Sequence, residues 1–181
     1  MESLVKELAT FRHPLGADKN HPLYRVAAER WLESLALPDI STIDARLDPR
    51  HVYPQVPALS GSGPDSAGAG RGVMDLLGVT REGRLAVVEL KASEDIHLAM
   101  QGMDYWLRVR WHLQQGDFPR YGYFSGVELQ SKLPLLYLVA PGFRFHPATD
   151  ILLRYIVSEV QCVRVGLNED WRRGLKVVFR Q

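Results

Sequence analysis

The sequence predicts a single α/β domain, over residues 1–181, in which a mixed central β-sheet is flanked by helices. Three observations predict this fold class. Segment 72–92 consists of two apolar stretches around a short polar turn, a long helix-forming segment follows it, and a further apolar stretch spans 134–141. The predicted order of elements is therefore helix, strand, strand, strand, helix, strand, helix and strand.

The composition is that of an ordinary globular chain, with a formal net charge of +1 and 46% hydrophobic residues. A nucleic-acid partner would therefore have to be recognised by a local positive patch. Cys162 is the single cysteine, which excludes an internal disulfide and a cysteine-based zinc cluster. The N-terminus lacks a signal-peptide pattern, and the apolar run 133–141 is far shorter than the roughly 20 residues of a membrane-spanning helix. We therefore expect a cytoplasmic protein with no membrane partner.

The first predicted element is a helix over residues 22–36, with Pro22 in its first turn and an end before Pro38. On this helix Val26, Glu29 and Glu33 fall at spacings of three and four and therefore share one face. Two interpretations stay open: the glutamates form a solvated surface, or one of them points into a functional site.

The first predicted strand covers residues 51–59, and two prolines within it indicate an edge or an irregular strand. Segment 60–72 is rich in glycine and small polar residues and is predicted to be a flexible loop. It lacks the Lys-Ser/Thr ending of a phosphate-binding P-loop and the glycine spacing of a dinucleotide-binding loop. Its role as a mobile flap over a site and plain disorder both remain open.

Segment 72–92 is predicted to be a β-hairpin, with Gly83 in the left-handed position of its turn. If Thr80 pairs with Arg84, Asp75 lies directly opposite Glu89, and Val73 lies opposite Lys91. Because side chains alternate along a strand, Asp75, Glu89 and Lys91 are then expected on one face of the sheet.

A helix is predicted from an N-cap at Ser93 to about Gln115. Its predicted packing stripe consists of Ile96, Met100, Met103, Leu107 and Trp111. A second stripe, which is polar, lies on an adjoining face at steps of four residues and consists of His97, Gln101 and Tyr105.

The remaining predicted elements are a buried strand and a helix, followed by two strands that close the chain. They are expected at 134–141, 147–157, 160–168 and 175–181.

The facing carboxylates of Asp75 and Glu89 indicate a metal site. Two buried carboxylates a few ångströms apart repel each other and lose their hydration, whereas a divalent cation such as Mg²⁺ reverses that penalty. Lys91, two residues after Glu89, is suited to orient a water molecule and to offset charge on phosphoryl oxygens. The structural alternative is that Lys91 only forms a salt bridge with Glu89 or Asp75 inside a degenerate core.

With these residues the sequence resembles the PD-(D/E)xK nuclease superfamily, which has a restriction-endonuclease-like αβββαβ core. Asp75 and Glu89-Leu90-Lys91 match its signature, and Gln101-Gly-Met-Asp-Tyr105 matches the QxxxY element of its RecB-like branch. Met74 stands where the proline that names the motif would be. The resemblance covers residues 20–140 approximately and leaves 141–181 as a C-terminal extension.

The resemblance implies a role for each matched residue. Asp75, Glu89 and the backbone carbonyl of Leu90 would bind Mg²⁺ or Mn²⁺, and Lys91 would assist the attacking water. Gln101 and Tyr105 would support the site or touch DNA, and Glu29 or Glu33 would supply a further acidic position. The expected function is a metal-dependent deoxyribonuclease that hydrolyses phosphodiester bonds with metal-activated water.

The alternative is a catalytically inactive nuclease-fold scaffold or nucleic-acid-binding subunit. For DNA contact we single out Arg71 and Arg108, although each of them taken alone is more simply explained as a solvated charge. The six histidines show no zinc-ligand spacing, and Ser125 has no nucleophile-elbow context. The sequence does not decide whether the chain forms a homodimer.

Overall fold

The computed structural model describes residues 2–12, 18–58, 72–156 and 158–181. Its centre is a six-stranded sheet in the spatial order β1 to β6. The β3–β4 and β4–β5 pairs are parallel and the other three pairs are antiparallel, so the predicted mixed sheet is confirmed. The strands are β1 (Leu47–Ala58), β2 (Gly72–Thr80), β3 (Leu85–Leu90), β4 (Leu135–Pro141), β5 (Cys162–Leu167) and β6 (Val177–Arg180).

Helices flank both faces of this sheet, as predicted. They are α1 (Glu2–Phe11), α2 (Pro22–Arg25), α3 (Ala28–Ala36), α4 (Leu98–Gln115), α5 (Asp117–Arg120) and α6 (Pro147–Leu153), with a 3₁₀ segment at Leu37–Thr42.

The side chains of the central strands alternate between two apolar cores. Leu77 and Val87 pack on the α4 side, whereas Leu76 and Val88 pack on the α3 side. Every residue of β3 and β4 is buried, which explains why both strands are almost entirely apolar. Glu89 in β3 is the exception to that pattern.

The β2–β3 hairpin has the predicted register. Leu76 pairs with Val88 and Leu77 with Val87, while the Thr80 amide donates to the Arg84 carbonyl at 2.7 Å. Gly83 has φ +88°, the left-handed conformation that glycine adopts without strain.

The prediction of one continuous helix over 22–36 is wrong. The chain leaves the helix at Val26, and Ala27 has the left-handed conformation, with φ 47°, before α3 begins. The guanidinium of Arg12 donates to the carbonyls of Leu23 and Val26, which replaces hydrogen bonds that a continuous helix would supply. Val26 is consequently exposed and does not share a helical face with Glu29 and Glu33.

The predicted start of the long helix is also wrong, since α4 begins at Leu98 and Ser93 does not cap it. Instead, the Asp95 carboxylate accepts a hydrogen bond from the His97 amide at 2.7 Å and lies 3.9 Å from the Lys91 ammonium. These contacts hold the segment before Leu98 in a turn. The predicted end at Gln115 is confirmed, with Gly116 as a left-handed C-cap.

The predicted packing stripe of this helix is wrong as well. Four of its five members, Ile96, Met100, Leu107 and Trp111, are between 40% and 57% exposed, whereas the fifth, Met103, is partly buried against the core on the α4 side. The face that packs on the sheet instead consists of Leu98, Ala99, Gly102, Tyr105, Trp106 and Val109. Gly102 allows this approach, because a Cβ atom at that position would lie 2.6 Å from Leu138 Cδ2.

The other predicted elements differ from prediction only in their bounds, whereas α1, α5 and the 3₁₀ segment Leu37–Thr42 were not predicted. The edge strand β1 is confirmed but begins earlier, at Leu47. Its pairing with β2 shifts register between Leu47 and Val52. Helix α6 ends at Leu153, earlier than predicted. Residues 60–71 of the predicted loop and the last residue of the predicted strand 51–59 lie outside the described residues, and Gly72 already belongs to β2.

The C-terminal strands β5 and β6 continue the same sheet beyond β4. After β5 the chain buries Trp171, whose ring meets that of Trp31 in α3 edge to face, with centroids 5.9 Å apart. The segment therefore packs on the same apolar core as α3. None of the helices in the described ranges is long and apolar enough to cross a membrane.

Candidate active site

The ends of two neighbouring strands bring Asp75, Glu89 and Lys91 together. Asp75 lies next to the Leu76–Val88 pair, and its Oδ2 accepts a hydrogen bond from the Leu90 amide at 2.8 Å. The Lys91 ammonium lies 3.2 Å from Glu89 Oε1. The Lys91 amide donates to the Val139 carbonyl at 2.9 Å, which ties the end of β3 to β4.

The Glu89 carboxyl is the most enclosed acidic group of this cluster, with 2% of the residue exposed. Its Oε2 is buried and has no hydrogen-bond partner among the described residues. Burial, reinforced by the charge of Asp75, raises the pKa of Glu89 to about 8 against the opposing effect of Lys91. Burial also raises the pKa of Asp75, while the Leu90 amide and Lys91 act in the opposite direction.

An unpartnered buried carboxylate oxygen fits a hard cation. Within the described ranges, no three His, Cys, Asp or Glu side chains come close enough to hold a metal ion by themselves. Mg²⁺ does not require such a set, because it is commonly bound by one or two carboxylates together with water and substrate phosphate. The pair Asp75 and Glu89 therefore supplies oxygen donors of the kind that Mg²⁺ prefers.

Helix α3 adds acidic residues next to this pair. Glu33 is 8% exposed, accepts a hydrogen bond from the Gln55 side chain and lies 3.7 Å from Arg30. Burial raises the pKa of Glu33, and the charge of Asp75 acts in the same direction. The charge of Glu29 likewise raises the pKa of Asp75. Both glutamates are thus within electrostatic reach of the Asp75 carboxyl.

Two residues that contact Glu33 were not singled out from the sequence: Arg30 in α3 and Gln55 in β1. Arg30 could have been found from the sequence, because it lies between Glu29 and Glu33 on the same predicted helix. Gln55 reaches Glu33 from a strand position with φ +55°, which no sequence pattern indicated.

Helix α4 contributes Gln101 and Tyr105 on the same side of the sheet as Glu89. Gln101 Oε1 is buried and has no hydrogen-bond partner within the described residues. Tyr105 is 6% exposed, and burial, followed by the charges of Glu89 and Asp75, raises its pKa. Gly72 is a further residue of the site that the sequence did not reveal. Its lack of a side chain makes room for Tyr105, because a Cβ atom at Gly72 would lie 2.7 Å from Tyr105 Cε1.

A cleft of about 550 Å³ opens along this part of α4. Its lining consists of Gly72, Asp95, His97, Met100, Gln101, Asp104 and Tyr105. Arg108 forms an ion pair with Asp104 at 2.9 Å and donates to the Ala58 carbonyl at 3.2 Å. Arg71, the other predicted DNA contact, lies outside the described residues.

Neither a protein-family model nor a curated protein matches this chain. Two solved structures are similar to it. A repair endonuclease from Pyrococcus abyssi aligns with a TM-score of 0.48 and 18% identity over 74% of this chain and 45% of its own. The EndoMS-dsDNA2 complex aligns with a TM-score of 0.46 and 18% identity over 83% of this chain and 49% of the other. The chain thus spans less than half of each protein, and these likenesses do not identify its function.

Proposed function

We propose that this chain is a metal-dependent nuclease of the PD-(D/E)xK type that hydrolyses DNA phosphodiester bonds with Mg²⁺ or Mn²⁺. The observation that carries the proposal is the buried, unpartnered Oε2 of Glu89, next to Asp75 and to the Lys91 ammonium. A core ion pair alone explains Lys91 and Glu89 Oε1. It does not explain why a second carboxylate and an unpartnered oxygen are buried beside them.

Asp75, Glu89 and the Leu90 carbonyl would hold the cation. When bound, the cation would polarise a phosphoryl oxygen and lower the pKa of a coordinated water. Asp75 is already oriented for this role, since the Leu90 amide fixes one of its oxygens at 2.8 Å. That hydrogen bond leaves the other oxygen of the carboxylate available as a ligand.

Lys91 would act on the substrate when Glu89 binds the cation. In the structure its ammonium neutralises Glu89 Oε1 at 3.2 Å and is largely enclosed. With a cation at the Glu89 carboxylate, Lys91 would no longer be needed as its counter-charge and would be available to orient the attacking water and to stabilise charge on the phosphoryl oxygens. This role therefore requires that the Lys91 ammonium can move away from Glu89 Oε1.

The α4 side chains would support the substrate side of the site. Gln101 has an unpartnered buried oxygen, which suits it to accept a hydrogen bond from a water or ligand in the cleft. Tyr105 packs against Gly72 and forms a wall of the same cleft. Glu33, held by Gln55, would add negative charge that favours cation binding next to Asp75.

DNA cleavage with matched variants tests this proposal. Purified wild-type chain should nick supercoiled plasmid in Mn²⁺ and lose this activity in EDTA. Glu89→Gln and Lys91→Met should each lower the rate at least about 100-fold, which is the typical effect of removing one group that stabilises transition-state charge. Glu94→Gln and Lys19→Met, both at exposed positions, should keep the rate within about twofold.

Cleavage that persists in Glu89→Gln and Lys91→Met would refute the enzyme proposal, because it would have to come from another site or protein. Metal-independent DNA binding without cleavage by the wild-type chain would instead support the alternative, a nuclease-fold DNA-binding subunit. Far-UV circular dichroism of each variant separates loss of chemistry from loss of fold.

A further inference from the structure

A second cavity, of about 350 Å³, lies at the opposite end of the β2–β3 hairpin. Its lining includes four cationic side chains, Arg46, Arg81, Arg84 and Lys132, and one acidic residue, Glu82. Arg84 directly precedes β3 and lies five residues before Glu89, which corresponds to roughly 16 Å along a strand. The cavity is therefore separate from the carboxylates of the candidate active site.

Backbone contacts fix three segments around this cavity. The Arg81 amide donates to the Arg46 carbonyl at 2.9 Å, which joins the hairpin turn to the start of β1. The Gln130 amide donates to the Gly83 carbonyl at 2.8 Å, and Arg84 Nε donates to the Leu133 carbonyl at 2.7 Å. The cationic side chains are thus brought together by the fold and do not occur on one flexible loop.

Most of these cationic side chains form no ion pair in the described parts of the chain, although hydrogen bonds from Ser41 and, more weakly, the charge of Arg81 lower the pKa of Asp39. Arg46 is the exception, since Asp44 accepts hydrogen bonds from its guanidinium at 2.7 and 3.1 Å. Arg81 and Arg84 donate to carbonyl and amide oxygens and form no ion pair within the described parts of the chain. Burial, and then the charge of Arg46, lowers the pKa of Arg84, as expected for two like charges that line one cavity.

We propose that this cavity binds a phosphate group. Guanidinium groups present planar donor pairs that match the oxygens of phosphate, and an anion relieves the repulsion between clustered cations. The ligand is either a free phosphate or phosphomonoester, or a backbone phosphodiester of nucleic acid. Because binding here needs neither Glu89 nor a metal ion, it stands independently of the nuclease proposal.

The double variant Arg81→Gln/Lys132→Gln tests this site. Both side chains are exposed, so their replacement should leave the fold intact, whereas Arg84 also anchors the Leu133 carbonyl. The control, Arg154→Gln/Lys176→Gln, removes the same charge from exposed positions elsewhere. Lys132→Gln alone serves as a milder second variant.

The first measurement is the melting temperature in EDTA, with inorganic phosphate compared with chloride at equal ionic strength. If the ligand is free phosphate, phosphate should raise the melting temperature of the wild type and of the control by about 2–4 °C. The same phosphate concentration should raise that of Arg81→Gln/Lys132→Gln by less than half as much.

The second measurement is fluorescence anisotropy with a duplex oligonucleotide that lacks terminal phosphates, in EDTA, over a range of salt concentrations. If the ligand is a backbone phosphate, Arg81→Gln/Lys132→Gln should bind about tenfold more weakly than the control. The slope of log affinity against log salt should fall by about two, and by about one for Lys132→Gln. If the double variant matches the control in both measurements, the phosphate site does not exist.

Discussion

Replacing Glu89 by glutamine should stabilise the metal-free protein, and increasingly so as the pH rises. Glutamine has nearly the same shape as the carboxyl group but carries no charge at any pH. The Glu89 carboxyl is 2% exposed and lies beside Asp75, so its ionised form is disfavoured in the folded chain. The residue that the nuclease proposal needs most is therefore expected to reduce stability when no cation is bound.

The magnitude follows from the pKa. For Glu89 the pKa rises from 4.5 to about 8 on folding. A carboxyl whose pKa is raised by folding contributes stability that is fully present below its unfolded pKa and is lost as the pH rises through the folded pKa. With about 1.4 kcal/mol per pKa unit, the wild type should lose roughly 4 kcal/mol relative to Glu89→Gln between pH 5 and 8.5. For a chain of this size that difference corresponds to about 10 °C in melting temperature.

The assay is urea denaturation of the wild type and Glu89→Gln in EDTA at several pH values between 5 and 8.5. Subtracting the two curves cancels the titration of groups that lie far from Glu89 in both proteins. Saturating Mn²⁺ should narrow the difference between the two proteins at pH 8, because a cation at 100 times its dissociation constant stabilises only the wild type, by about 2.7 kcal/mol. A stability difference between wild type and Glu89→Gln that does not change with pH would refute a raised pKa at Glu89. The control Glu94→Gln should differ from the wild type by the same amount at every pH.

Two further predictions follow from the same structure. Measured by calorimetry, the dissociation constant of Mn²⁺ for the wild type should fall by up to about tenfold per pH unit between pH 6 and 8, because a carboxyl proton must leave before the cation binds. An affinity that does not change with pH would contradict the assigned ligands. Gly102→Val should lower the free energy of unfolding in urea by about 1–3 kcal/mol, because its Cβ would lie 2.6 Å from Leu138 Cδ2, and an unchanged free energy would contradict this close approach.

The arrangement of Asp75 and Glu89 could be predicted because it depends on a local feature. A short hairpin fixes the register of its two strands, and alternation then assigns every side chain to a face. The observed pairs Leu76–Val88 and Leu77–Val87 have the register deduced from Thr80 and Arg84. No information from distant parts of the chain was required.

Contacts between distant segments could not be predicted in this way. Arg12 interrupts the helix predicted over 22–36 by binding two carbonyls that lie 11 and 14 residues further along the chain. Gln55, itself in the left-handed conformation within β1, donates to Glu33 in α3, 22 residues earlier in the chain. Each of these contacts replaces a local preference with a tertiary one, and local sequence patterns carry no information about it.

The error in α4 has a consequence for the candidate site. At 100° per residue, the centre of the pair Met100 and Leu107 from the predicted stripe lies about 130° around the helix from that of Gly102 and Trp106 on the observed face. The pattern failed because it favoured large apolar residues, whereas Ala99 and Gly102 pack on the sheet because they are small. Tyr105 lies on the observed packing face of α4. Had the predicted stripe packed on β3 and β4, Tyr105 would have pointed away from Glu89, so the small residues that hid the packing face are also what bring this tyrosine to the carboxylates.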